Sequence, residues 1–119
     1  MKVAITSKGT DLDSEVDPRF GRAAYFVIVD TETMAFQVVD NHENAGALQG
    51  AGIHAAATLS KNGAEVLLTG YCGPNAFKTL EAAKIKVAND ATGTVKQAID
   101  AFKAGEMSFA ESANREANW

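Results

Sequence analysis

The chain is predicted to fold as one α/β domain, a three-layer α/β/α arrangement around a five-stranded mixed sheet of order 3-2-1-4-5 with the second strand antiparallel. Three observations lead there. In the second half, short apolar runs alternate with segments of helical period, the pattern of strand–helix–strand crossovers. In the first half, two strand-like runs are separated by four polar-leaning residues, 31–34, which suggests a hairpin. A chain of 119 residues has room for one compact core and no second.

The elements follow in order. Residues 2–6 (KVAIT) are a short apolar run ending in Ser-Lys-Gly and form the first strand. Residues 25–29 (YFVIV) and 36–39 (FQVV) are the second and third. Residues 52–59 are Ala-rich and helix-forming, and Asn62-Gly63 is a good stop. Residues 66–69 (VLLT) are apolar without alternation, as in a strand covered on both faces. Gly73-Pro74 opens a helix whose apolar stripe is Ala76, Phe77, Leu80 and Ala83, with Pro where its missing N–H costs nothing. Residues 85–87 (IKV) alternate as an edge strand does. Thr94 to Gln97 has capping-box spacing, and Val95, Ala98, Ile99 and Phe102 carry the helical stripe to Gly105. The domain is expected to span 1–105, with 106–119 a polar, loosely held tail.

Composition narrows the function. Hydrophobic content of 46% with 22% charged residues is that of a globular protein. No apolar run approaches the ~20 residues of a membrane span, and no signal-peptide core is seen. With a single Cys72 as well, a cytoplasmic location and no membrane partner are expected. A net charge of −4 with scattered Lys and Arg argues against nucleic acid. A monomer is expected.

Residues 7–23 lack any sustained periodicity, and a loop of that length in a compact domain is usually functional or disordered; a second polar loop connects the third strand to the first helix, 41–51. Having few apolar anchors, residues 7–23 and 41–50 are expected to be more mobile than the sheet when no ligand is bound. In the predicted topology both leave the same sheet edge as the connection 70–74. The connections after the first and fourth strands diverge to opposite sides, which is the switch-point crevice of open α/β sheets. Helix N-termini near Gly52 and Gly73 face the same crevice and offer N–H groups to an anion. The candidate anion cleft therefore contains Arg19, Arg22, Gly50, Gly52, Gly73 and Asn75.

Each candidate has a plainer reading. Arg19 and Arg22 can pair with Asp11, Asp13, Glu15 or Asp17 of their own loop. Gly50 to Ala55 fits G-x-G-x-x-A, but it lies some ten residues beyond its strand and lacks the acidic partner, which argues against a nucleotide. Cys72 beside a helix N-terminus is expected to have a lowered pKa and is a candidate metal ligand, though a small buried thiol fits as well. His54, early in a helix, is read as a neutral imidazole ahead of a ligand, His42 as solvated loop, and Trp119 as an incidental terminus. Neither a Ser-His-Asp order nor paired carboxylates point to hydrolysis, so an enzyme is not expected.

Three motifs carry a resemblance. Residues 16–23 (VDPRFGRA) before an aromatic strand, Gly50-Ala51-Gly52 opening an Ala-rich helix, and residues 68–77 (LTGYCGPNAF) are similar, in order and spacing, to the nitrogenase iron–molybdenum cofactor accessory and carrier family. The match covers about residues 1–104. The resemblance implies a ribonuclease-H-like fold and non-catalytic binding of a molybdenum- or iron-containing sulfide cluster, with contacts from Arg19, Phe20, Gly21, Arg22, Gly50, Gly52, Cys72, Gly73 and Asn75. One departure matters. Carriers of the nitrogenase branch often have His where this chain has Arg19, and a protonated guanidinium cannot ligate a metal. The Arg-Phe-Gly-Arg form is more similar to the branch that binds a mixed molybdenum–copper sulfide cluster; an iron–molybdenum–sulfur cluster or precursor is the alternative. Direct ligation would fall to His54 or Cys72. The rival reading is a regulatory or interaction module that works through a protein partner without a cofactor.

Overall fold

The computed structural model of the chain describes residues 1–47 and 49–111. Its elements are β1 (Lys2–Ser7), β2 (Tyr25–Asp30), β3 (Phe36–Asp40), α1 (His42–Ala45), α2 (Ala51–Lys61), β4 (Val66–Leu68), α3 (Pro74–Ala82), β5 (Lys86–Ala88) and α4 (Val95–Lys103). The sheet order is β3-β2-β1-β4-β5, as the hairpin and crossovers predict. β2 is antiparallel to both β1 and β3, and β4 is parallel to β1 and β5. The hairpin closes through the Asp30 N–H on the Ala35 carbonyl, with Met34 in the left-handed region at φ 62°.

Strand alternation divides the interior into two cores. On one face Ala4, Phe26, Ile28, Leu67 and Val87 pack with Ala55, Ala56 and Leu59 of α2 and Phe77 and Leu80 of α3. On the other, Val3, Ile5, Val27, Val29, Val66 and Leu68 meet Val95, Ala98 and Ile99 of α4. The central strands are covered on both sides and so read as unbroken apolar runs. Complete burial of Leu59 or Leu80 contributes roughly 1.5–3 kcal/mol each. At the sheet edge β3 leaves Phe36 and Val38 exposed on the α4 face.

The predicted punctuation is present. α2 stops at Asn62, whose Nδ2 donates to the Thr58 carbonyl, and Gly63 follows with φ 78°. Pro74 begins α3. The Thr94 hydroxyl accepts the Gln97 N–H at 3.1 Å while the Gln97 side chain accepts the Thr94 N–H at 2.9 Å.

Three expectations need revision. Segment 41–51 is not wholly loop, since it contains the single-turn α1. Loop 7–23 has apolar anchors after all: Val16, Phe20 and Ala23 are buried and Leu12 packs on the α4 side. Their spacing is irregular, so no periodicity betrays them. The described part of the tail, 106–111, is held against β5 and not loose. The Ala110 N–H donates to the Val87 carbonyl at 2.7 Å, and Lys86 Nζ sits 5.1 Å from the centre of the Phe109 ring. The remainder of the predicted tail, including Trp119, lies outside the described residues. Among the described residues no helix is long and apolar enough to cross a membrane.

Candidate functional site

The connection after β1 is laid directly on the connection after β4. The Asp17 N–H donates to the Thr6 carbonyl at 2.9 Å, and the Thr6 hydroxyl donates back to the Asp17 carbonyl. The same hydroxyl lies 2.9 Å from that of Thr69, just beyond β4. One residue on, the Tyr71 N–H donates to the Pro18 carbonyl at 2.8 Å, and the Phe20 N–H to the Tyr71 carbonyl at 3.4 Å. Phe20 is fully buried, its ring 5.8 Å from that of Phe26. It anchors the loop, and only its backbone faces the junction.

The connection after β3 meets these two through glycine. A Cβ on Gly21 would lie 2.7 Å from the Gly52 nitrogen, and a Cβ on Gly52 would lie 2.7 Å from the Ala76 Cβ. The first loop, the start of α2 and the start of α3 are therefore stacked at backbone distance, which larger residues would prevent. Two asparagines that the sequence reading passed over tie the arrangement. The buried Asn41 donates through Nδ2 to the Gly21 and Ala23 carbonyls at 3.2 and 2.8 Å. Asn44 donates to the Ala51 carbonyl at 2.9 Å. Their sequence signal is faint: Asn in a polar stretch ordinarily reads as a turn residue. Gly50, exposed at the N-cap of α2, has φ 79°, a left-handed conformation that suits glycine.

The two arginines differ in their attachments. Arg19, its side chain 51% exposed, donates from Nε and Nη2 to the Asp17 carboxylate at 3.3 and 3.4 Å. Arg22, half-buried, donates from Nη1 to the Ala45 carbonyl at 3.0 Å and to the Ala47 carbonyl. So the in-loop ion pair forms for Arg19, whereas Arg22 braces the end of α1 through uncharged carbonyl acceptors.

The remaining candidates separate. Gly73 is buried and Asn75 exposed at the start of α3. Neither α2 nor α3 has a side-chain cap, so their first N–H groups are not taken up that way. Cys72 is fully buried, and its thiol contacts the Gly73 carbonyl at 3.6 Å. Burial pushes its pKa up to about 12, the opposite of the lowered value expected from its place before a helix. Desolvation of the thiolate outweighs the dipole. His54 is exposed on α2. Among the described residues no three His, Cys, Asp or Glu side chains converge as a metal centre. A separate cavity of about 390 Å³ beyond the end of β5 is lined by Asp90 and Glu106, which oppose an anion.

Comparison with known proteins accords with this geometry. The dinitrogenase iron-molybdenum cofactor model matches residues 1–105. The chain belongs to this family. The apo form of the orange protein from Desulfovibrio gigas is 51% identical, with 96% of each chain covered and a TM-score of 0.94. A candidate NifB protein from Thermotoga is 43% identical over 97% of each chain, TM-score 0.84. A candidate dinitrogenase from Methanocaldococcus jannaschii, 22% identical over 94% of this chain and 96% of its own, shares the fold with a TM-score of 0.70. No curated protein matches. In this chain the motif Asp17-Pro18-Arg19-Phe20-Gly21-Arg22 lies where three connections meet at one end of the sheet.

Proposed function

We propose that the chain binds an anionic molybdenum-containing sulfide cluster as cargo, non-covalently and without catalysis, at the junction of the three connections. The observation that carries the reading is the half-exposed Arg19 held at that junction in a chain of this family. A thiomolybdate-type cluster is a polyanion whose outer sulfides accept hydrogen bonds. Guanidinium and backbone N–H groups supply what it needs. The proposed cargo is a molybdenum–copper sulfide cluster, with an iron–molybdenum–sulfur cluster as the alternative. Hydrogen bonding is favoured over ligation, because the buried Cys72 thiol is protonated at neutral pH and His54 lies on the outside of α2.

In this reading Arg19 and Arg22 provide charge, and the starts of α2 and α3 add oriented N–H groups. Gly21 and Gly52 allow the backbones to approach, Gly50 and Gly73 open α2 and α3, and Asn75 and Phe20 line and support the junction. The rival reading, an interaction module, has the exposed Phe36 and Val38 of β3 in its favour. Metal analysis and a visible spectrum of protein from its native host separate the two, because a bound molybdenum–copper sulfide cluster absorbs visible light.

The decisive experiment titrates tetrathiomolybdate with copper(I) into variants. Arg19→Ala with Arg22→Ala should weaken binding at least tenfold, about 1.4 kcal/mol, and retention by the parent should fall with added salt. Cys72→Ser should change little. Parent-like binding by the double Arg variant, with loss on Cys72→Ser, means a ligated cluster and overturns the proposal.

A further inference from the structure

We infer that Asp17 is the positioning residue of this site, holding the Arg19 guanidinium by one edge so that the other edge is presented to the anion; the inference rests on the binding proposed above. The carboxylate is unusually well fixed for an ion-pair partner in a loop. Its side chain is 4% exposed, against 51% for Arg19. Its backbone is clamped on both sides by Thr6, whose hydroxyl also reaches Thr69 across β1 and β4. Pro18 has no N–H, so the first amide ahead of the carboxylate is that of Arg19, and Oδ1 accepts it at 3.1 Å. The Asp17 oxygens then accept Nε at 3.3 Å and Nη2 at 3.4 Å.

A guanidinium carries five N–H groups in a rigid fork. Asp17 takes two, on the Nε side. Both groups on Nη1 and one on Nη2 have no partner among the described residues. A flexible side chain must give up rotamer freedom to grip a ligand, and here the carboxylate has already ordered it. Charge alone argues the other way, since Asp17 offsets the cation and its removal should strengthen the attraction for an anion. The two effects therefore predict opposite signs.

A double-mutant cycle decides between them, read as the affinity for tetrathiomolybdate with copper(I) in parent, Asp17→Asn, Arg19→Ala and the double variant. Asn keeps the acceptor for the Arg19 amide and loses the ionic grip. Asp17→Asn should weaken binding threefold to tenfold despite the added positive charge, and should be silent in the Arg19→Ala background. Tighter binding, or the same loss in both backgrounds, overturns the inference. The second outcome would mean that Asp17 acts on the shape of the junction. An Arg19→Ala variant that binds like the parent would instead remove Arg19 from the site and defeat the reading beneath it. Circular dichroism checks that each variant folds. Should Asp17→Asn not fold, Asp17→Glu, which keeps the charge and displaces the guanidinium, should give the same Arg19-dependent loss, and its absence overturns the inference.

Discussion

Gly21 and Gly52 touch backbone to backbone: a Cβ on Gly21 would stand 2.7 Å from the Gly52 nitrogen and 2.9 Å from its Cα. The contact brings the loop after β1 against the first turn of α2. Neither partner can retreat through a side-chain rotation, because the atoms in conflict are main chain.

Gly21→Ala should therefore cost about 1–3 kcal/mol in urea unfolding, the usual range for overpacking a tight contact. Gly46→Ala is the control. Its φ is −89° and its nearest atoms would be 3.8 Å away, so its effect should stay within about 0.5 kcal/mol.

Arg22 should act as a local brace as well as a cation. Arg22→Met removes the donor to the Ala45 and Ala47 carbonyls. At about 1 kcal/mol for the lost hydrogen bonding, amide exchange over residues 43–47 should rise about fivefold. Amides of β1 and β4 should be unchanged. Equal acceleration in the sheet would show that Arg22 supports the whole fold.

Cys72 should resist alkylation at pH 8 in the native protein and react readily in urea. Its folded pKa is raised from 9.0 to about 12 by burial, so the folded state holds its proton where the unfolded chain releases it. This contribution is complete below pH 9 and is lost as the pH climbs toward 12. Stability should fall over that window with a slope of at most about 1.4 kcal/mol per pH unit from this group. The slope should disappear in Cys72→Ala.

Thr94→Ala should destabilise the protein by about 1 kcal/mol, since it removes the hydroxyl that accepts the Gln97 N–H at the start of α4 and leaves only the backbone arm of the capping box. Thr94→Ser, which keeps the hydroxyl, should restore most of it. Chemical denaturation of the two variants measures the difference.

Much of this protein was determined by the sequence alone. Period, turn chemistry and caps are local properties, so residues 25–29 and 36–39, the Asn62-Gly63 stop, Pro74 and the Thr94 box could be read directly. Chain connectivity and crossover handedness then led to the strand order. What only the tertiary structure decided involves partners distant in sequence or choices that spacing leaves open. Gly21 and Gly52 are far apart in the chain, and nothing local to either reveals their contact. Arg19 had several acidic neighbours, and burial of Asp17 selected one. Arg22 had the same choices and took the Ala45 and Ala47 carbonyls instead. The place of Cys72 before a helix argued for a reactive thiolate, yet its pKa follows from desolvation, which depends on the packing of the whole core around it.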